Sequence, residues 1–250
     1  MDLFGQSRSH LARDHALIEP GSFVTTALAG WERTQGVILI SPRMGARFTQ
    51  YLATMEAGGS AQPAAAGIER CVYVLEGSLA VQSPGATQRT LTVGGFAYLP
   101  PDDRTTLRAP AACRLNVFEK RYVPGRGTSP PVRIVGQERD IKGEPFLGDP
   151  AARLQVLLPD EPAFDMAVNV FRFQPGATLP FVEVHVMEHG LLMIAGQGVY
   201  RLSDRWYPVR TGDVIWMAPF CPQWFVAMGK EPSAYLYYKD VNRDPLEGGP

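Results

Sequence analysis

At 250 residues, with a formal net charge of −1 and 45% hydrophobic content, the chain can bury one large core or two ordinary ones. It has no basic field to gather nucleic acid or anionic lipid, and no run approaches the roughly 18 apolar residues of a membrane span. Its 25 glycines and 22 prolines lie between short apolar runs, where they read as turn punctuation for many short strands.

In chain order, residues 1–36 read as an N-terminal arm. His10 and His15 sit there in a polar, arginine-containing stretch and are expected at the surface, and LARDHALI is the main candidate helix, with a short C-terminal turn as the other. Strand-like text begins at Val37 with VILISP and RFTQYLATMEAG. A small-residue loop, AGGSAQPAAAG, follows. CVYVLEGSLAVQS, TLTVGGFAYLPPD and CRLNVFEKRYVP then complete a first β unit over 37–123. Residues 124–160 read as a linker with entry strands, 161–243 as a second β unit, and 244–250 as a tail.

The second unit repeats the first. VYVLEGSLAV lies over LLMIAGQGVY, so that Gly77 matches Gly196. TVGGFAYLPP lies over RTGDVIWMAP, so that Gly94 matches Gly212 and the offset stays close to 119. Two tandem antiparallel barrels or jelly rolls of about 100 residues each are the expected architecture.

Chemistry concentrates in the second copy. Glu183 and His185 alternate at period two, which places both on one face of a strand. His189 follows after a turn, and Gln223 arrives from a later strand. A carboxylate, two imidazoles and an amide oxygen converging on one point make a mononuclear metal site. The equivalent positions of the first copy are Ala64, Ala66, Arg70 and Thr105, and residues 37–123 contain no histidine. The donors are therefore not a requirement of the fold. Two nitrogen and two oxygen donors leave open positions on a six-coordinate ion and suit Mn2+ or Fe2+ better than closed tetrahedral Zn2+. With one carboxylate the site stays net positive and favours an anionic substrate. Glu188, alternating to the other side, is expected to face solvent. Tyr235, Tyr237 and Lys239 share a strand face at period two, and Lys239 is placed to meet a carboxylate.

The pattern Glu-x-His-x3-His-x6-Gly, with Gln223 eleven residues after Gly212, resembles the two motifs of the cupin superfamily. Relative to the usual form the first His and the Glu have exchanged identities, and Gln stands for the last His. That resemblance covers about residues 37–243 and implies an all-β bicupin. The stretches LISPRMGARFTQYL, FVEVHVMEHGLLMIAGQGVYRL, WYPVRTGDVIWMAPFCPQWF and YLYYKDVNRDPL further resemble the (S)-ureidoglycine aminohydrolase family of purine (allantoin) catabolism. This resemblance implies Mn2+-dependent hydrolysis of (S)-ureidoglycine to (S)-ureidoglycolate and ammonia in a homo-oligomer. Carried over by position, it makes Glu183, His185, His189 and Gln223 the metal ligands. It makes Tyr200, Tyr235, Lys239 and Glu183 substrate contacts, with Glu183 and Lys239 catalytic.

Two other readings stay open on the residues alone. Two His plus one carboxylate also hold non-haem Fe2+ for dioxygen chemistry, and a bicupin can bind a small ligand without turning it over. The expected partner is a small anionic ureido molecule, with neither nucleic acid nor membrane involved. Cys71, Cys113 and Cys221, odd in number and lacking a CxxC pair, read as buried apolar residues of a reducing, cytoplasmic compartment.

Overall fold

The computed structural model describes residues 7–244. Strands dominate them, and the helical elements among these residues are single 3-10 turns at Pro20–Ser22, Pro42–Met44 and Glu138–Asp140. The tail expected over 244–250 lies, apart from Asp244, outside the described residues. The three cysteines are buried and free.

The described residues form two compact units. One comprises residues 24–142 and 157–165; the other comprises 7–23, 143–156 and 166–244. In the first unit, strand Ile68–Glu76 pairs antiparallel with Cys113–Arg121 on one side and Gly95–Leu99 on the other. In the second, His189–Ala195 pairs in the same way with Ser233–Asp240 and Val214–Met217. The internal repeat is thus a repeat of strand pairing. Its two glycine positions explain why the spacing is kept. Gly77 and Gly196 both take positive φ, 73° and 69°. A Cβ would lie 2.2 Å from the Ala112 carbonyl at the former and 2.6 Å from the Pro232 carbonyl at the latter.

The core of the second unit lies between its sheets. Leu17, Phe171, Leu191, Ile215 and Tyr235 face Tyr200, Leu202, Val209 and Phe225 of the three-stranded sheet Arg205–Arg210, Gln197–Leu202, Gln223–Met228. This two-sheet packing buries the alternate residues of each strand and leaves a mouth at one end.

The segment expected as an arm is divided between the units. His10–Leu11 and His15–Ile18 are strands, not helix, and the latter pairs with Val214–Met217. A stretch this short is a poor isolated helix, whereas a sheet edge offers it a ladder of partners. Arg8 secures the addition through a bidentate pair, 2.8 and 2.7 Å, with the fully buried carboxylate of Asp213. His15 corrects the surface expectation, being only 2% exposed. Its Nδ1 meets Asp14 at 2.8 Å, and its Nε2 meets the Tyr207 hydroxyl at 2.8 Å. Since a carboxylate only accepts, Nδ1 is the protonated nitrogen and Tyr207 donates to Nε2. His10 is half-buried against both rings. Residues 133–156, expected as linker and entry strands, supply Ile134–Gln137 to the first unit and the hairpin Glu144–Phe146, Asp149–Val156 to the second.

The first unit buries a carboxyl pair. Glu69, fully enclosed, accepts from the Tyr98 hydroxyl at 2.5 Å and shares a hydrogen bond with Asp165, whose other oxygen meets Lys120 at 2.8 Å. Burial, and then the neighbouring Asp165, push the Glu69 carboxyl up to about 9. Unfolded, Glu69 ionises near 4.5, so between pH 4.5 and 9 the folded state holds a proton that the unfolded state has lost. This group's contribution to stability therefore falls as pH rises through that window. A Glu69→Gln variant can donate its amide N–H to Asp165 and accept from Tyr98 without titrating. Its melting temperature relative to the parent should rise from pH 5 to pH 8.5, corresponding to about 1–3 kcal/mol. A pH-independent difference would contradict the shared proton.

Candidate metal centre

The segment preceding His189 is not a regular strand. Glu183 forms an isolated bridge with Gln223, N–O 2.8 and 3.0 Å in the two directions, and the His185 carbonyl accepts from the Phe220 N–H at 2.8 Å. Two-residue alternation still brings Glu183 and His185 to the same side, but a bridge and a loop contact achieve it where a ladder was expected. His189 opens strand His189–Ala195, and Gln223 opens strand Gln223–Met228.

His185 is the hub of the donor groups. His185 Nε2 lies 3.2 Å from His189 Nε2, 2.8 Å from Gln223 Nε2 and 4.0 Å from Glu183 Oε2. Donors about 2.1 Å from a common ion and at right angles stand about 3 Å apart, so the imidazole spacing fits a shared ion. Burial holds both imidazoles below their ordinary pKa, most strongly at His189, and neutral imidazole is the form that ligates. His189 also hydrogen-bonds the Tyr238 backbone carbonyl; with Nε2 turned to His185, the donor is Nδ1–H. That contact fixes the tautomer with the Nε2 lone pair pointing into the site. The Gln223 amide donates to His185 as placed, and a half-turn presents its oxygen instead. Burial raises the Glu183 carboxyl, against the pull of Lys239.

All seven residues singled out from the sequence (Glu183, His185, His189, Gln223, Tyr200, Tyr235 and Lys239) line one cavity of about 150 Å³. Lys239 stands directly opposite His189 in the ladder, and Tyr235 opposite Met193. Burial raises the Tyr200 and Tyr235 phenols far above their usual range. The cavity also takes in Tyr237, Met187 and Phe146, which the sequence reading had not assigned to the site. Phe146 arrives from the tip of a hairpin some 40 residues upstream, a contact no local pattern announces. Tyr237 was legible, since it shares the period-two face of Tyr235 and Lys239.

Glu188 does not face solvent. It is fully buried and accepts from the Trp216 indole at 2.7 Å, while its N–H bonds Asp240 at 2.5 Å. Glu69 holds the matching place in the first unit, so the residue before the donor position is a buried, hydrogen-bonded carboxyl in both copies.

In the first unit the position of His189 is taken by Arg70. Its guanidinium meets Glu119 at 2.5 Å and the Gln62 carbonyl at 2.9 Å, over the Trp31 ring. Glu119 is opposite Arg70 in the ladder, as Lys239 is opposite His189. An internal cation with its own counter-charge thus fills the place where an ion would sit, while Thr105 is buried against Ser83. Among the described residues, the ligand-type side chains whose donor atoms all lie within 4.8 Å of one another are Asp14, His15 and Cys221, a spacing that Glu183, His185 and His189 do not meet together. At His15 both imidazole nitrogens are already engaged, and burial pushes the Cys221 thiol up to about 11.

Comparison with known proteins identifies the two domains and the family. Residues 169–238 match the model of the cupin domain, and 44–122 match that of the EutQ-like cupin domain. The chain is 45% identical over 247 residues to the (S)-ureidoglycine aminohydrolase of Arabidopsis thaliana, covering 98% of this chain and 82% of that one. It is 35% identical over 234 residues to the enzyme of the same name from Escherichia coli K12, covering 92% and 89%. The chain belongs to the (S)-ureidoglycine aminohydrolase family. Members of this family are hydrolases acting on C–N bonds. The crystal structure of protein Ylba from E. coli superimposes with a TM-score of 0.84 at 31% identity, over 95% of this chain and 96% of that one. Oxalate decarboxylase of Bacillus subtilis, at 9% identity and a TM-score of 0.72, shares the bicupin fold alone. Among the described residues, no helix is long and apolar enough to cross a membrane.

Proposed function

We propose that the cavity of the second unit hydrolyses (S)-ureidoglycine to (S)-ureidoglycolate and ammonia, with Mn2+ held by Glu183, His185, His189 and Gln223. The observation that carries this reading is that the four donors and the three candidate substrate contacts line a single small cavity. Its volume of about 150 Å³ suits a substrate of nine heavy atoms. The mixed nitrogen and oxygen donor set favours Mn2+ or Fe2+ over a closed Zn2+ site. A divalent ion held there would supply a Lewis-acid centre for the substrate carboxylate and the amine lone pair, and so would select the enantiomer that fits.

The side chains divide the remaining work. Lys239 places an ammonium beside the ion site for the substrate carboxylate. Tyr200 and Tyr235, which line the same cavity, are the hydroxyls for the ureido group. Phe146, Phe171 and Leu154 wall the other side and keep bulk water out. The lone pair of the ureido nitrogen assists cleavage of the adjacent C–N bond. The amine leaves as ammonia, and water adds to the same carbon. Glu183 is the carboxylate placed to take the proton from that water and return one to the leaving amine.

Purified protein reconstituted with Mn2+ should release one ammonia per substrate faster than the spontaneous decay, assayed promptly because the substrate is unstable. Release no faster than the blank, with metal bound, would overturn the reading. Exposed Phe181, Val184 and Phe220 favour a homo-oligomer, and a solution mass at the 27.4 kDa of a single chain would contradict it. Three free buried thiols favour a cytoplasmic setting.

A further inference from the structure

Tyr237 lines the cavity beside Lys239 and Glu183, with its ring 5.7 Å from His189 and 5.7 Å from Tyr235. Beside it, directly opposite in the ladder on strand Met166–Phe173 and so on the same face, stands Asn169, only 2% exposed. Its side-chain amide is the polar group that acts on the Tyr237 phenol from that strand. Because Asn169 Oδ1 is buried without a partner, the Tyr237 hydroxyl does not donate to it. The Tyr237 hydroxyl proton is therefore left to point into the cavity that the ring lines. Tyr200 brings a second phenol to the same cavity. The cavity wall facing Glu183 therefore offers two phenolic protons and an ammonium, a surface matched to an anion bearing a carbonyl.

We propose that Tyr237, oriented by Asn169, is a further substrate-binding residue that donates a hydrogen bond to a carboxylate or ureido oxygen of the substrate. The assignment rests on the hydrolase reading above. Asn169 is a positioning residue: it touches no substrate and acts by setting the direction of the phenol. An aspartate in its place only accepts, so it draws the Tyr237 proton away from the cavity at nearly the same side-chain volume.

The test is a double-mutant cycle on Mn2+-loaded protein, reading KM and kcat for ammonia release and, separately, the affinity for N-carbamoylglycine, a stable ureido carboxylate lacking the amine. Tyr237→Phe should raise KM and weaken N-carbamoylglycine about 10-fold, as for a lost hydrogen bond to a charged group, with metal content unchanged. Asn169→Asp should do the same, and the double variant should be no worse than either single one. Unchanged KM and affinity in Tyr237→Phe would overturn the proposal, as would additive effects in the cycle, which mark a merely structural Asn169. Should Asn169→Asp fail to fold, Tyr237→Phe decides alone. A parent protein that binds metal but releases no ammonia refutes the hydrolase reading itself, which is a different result from an active parent with an indifferent Tyr237.

Discussion

Replacing His189 with alanine is expected to remove nearly all divalent metal bound by the reconstituted protein and to lower kcat/KM about 1000-fold. The imidazole is buried, neutral and locked by the Tyr238 carbonyl, with Nε2 3.2 Å from that of His185. No other side chain in the cavity can take its place, because its ladder neighbours at this level are Met217 and Lys239. Losing one of two nitrogen donors weakens the ion by well over the roughly 10- to 100-fold typical of a lost supporting contact. Glu183→Ala should match it in activity, since it removes the one ligand carboxylate along with the proton acceptor. The measurement is metal content by mass spectrometry alongside ammonia release, with a melting curve to confirm folding. Either variant retaining full metal and an unchanged rate would sink the four-ligand assignment.

Lys239→Met should raise KM about 10- to 100-fold while changing kcat far less. The methionine keeps the apolar stem that packs in the barrel wall and removes only the charge. Hydrogen bonds to charged groups contribute about 1.5–3 kcal/mol, and each 1.4 kcal/mol is a factor of ten in binding. Lys239 is held directly opposite His189, so its ammonium sits beside the ion site, where a chelated carboxylate would have its outer oxygen. Steady-state kinetics separates two outcomes. A rise in KM alone marks a binding lysine, and equal losses in kcat and kcat/KM mark one that acts in the transition state. An unchanged KM would refute the carboxylate contact.

The sequence made these residues legible because their placement follows from local periodicity and from a repeat whose glycines have conformational reasons to stay. Gly77 and Gly196 set the register of both copies, and the donors could then be read against Ala64, Ala66, Arg70 and Thr105. Long-range pairing and irregular backbone were not legible. His15–Ile18 is a four-residue strand whose partner lies about 200 positions downstream, and nothing in LARDHALI announces that edge. Glu188 was misread because period-two alternation predicts a face and not what covers it. Here the Trp216 indole makes the far side a buried hydrogen-bonding environment. Phe146 escaped for the same reason as His15: the hairpin that brings it to the cavity is fixed by tertiary packing.

The guanidinium of Arg70 has a consequence for how the two halves tolerate change. A barrel that carries its own positive centre no longer needs the preceding loop to present donors at defined points. Residues 63–66 are accordingly proline and alanine, partly or fully exposed, whereas their counterparts hold Glu183 and His185 against Gln223. The first of these loops is where an epitope or fluorescent label belongs, and the second admits none.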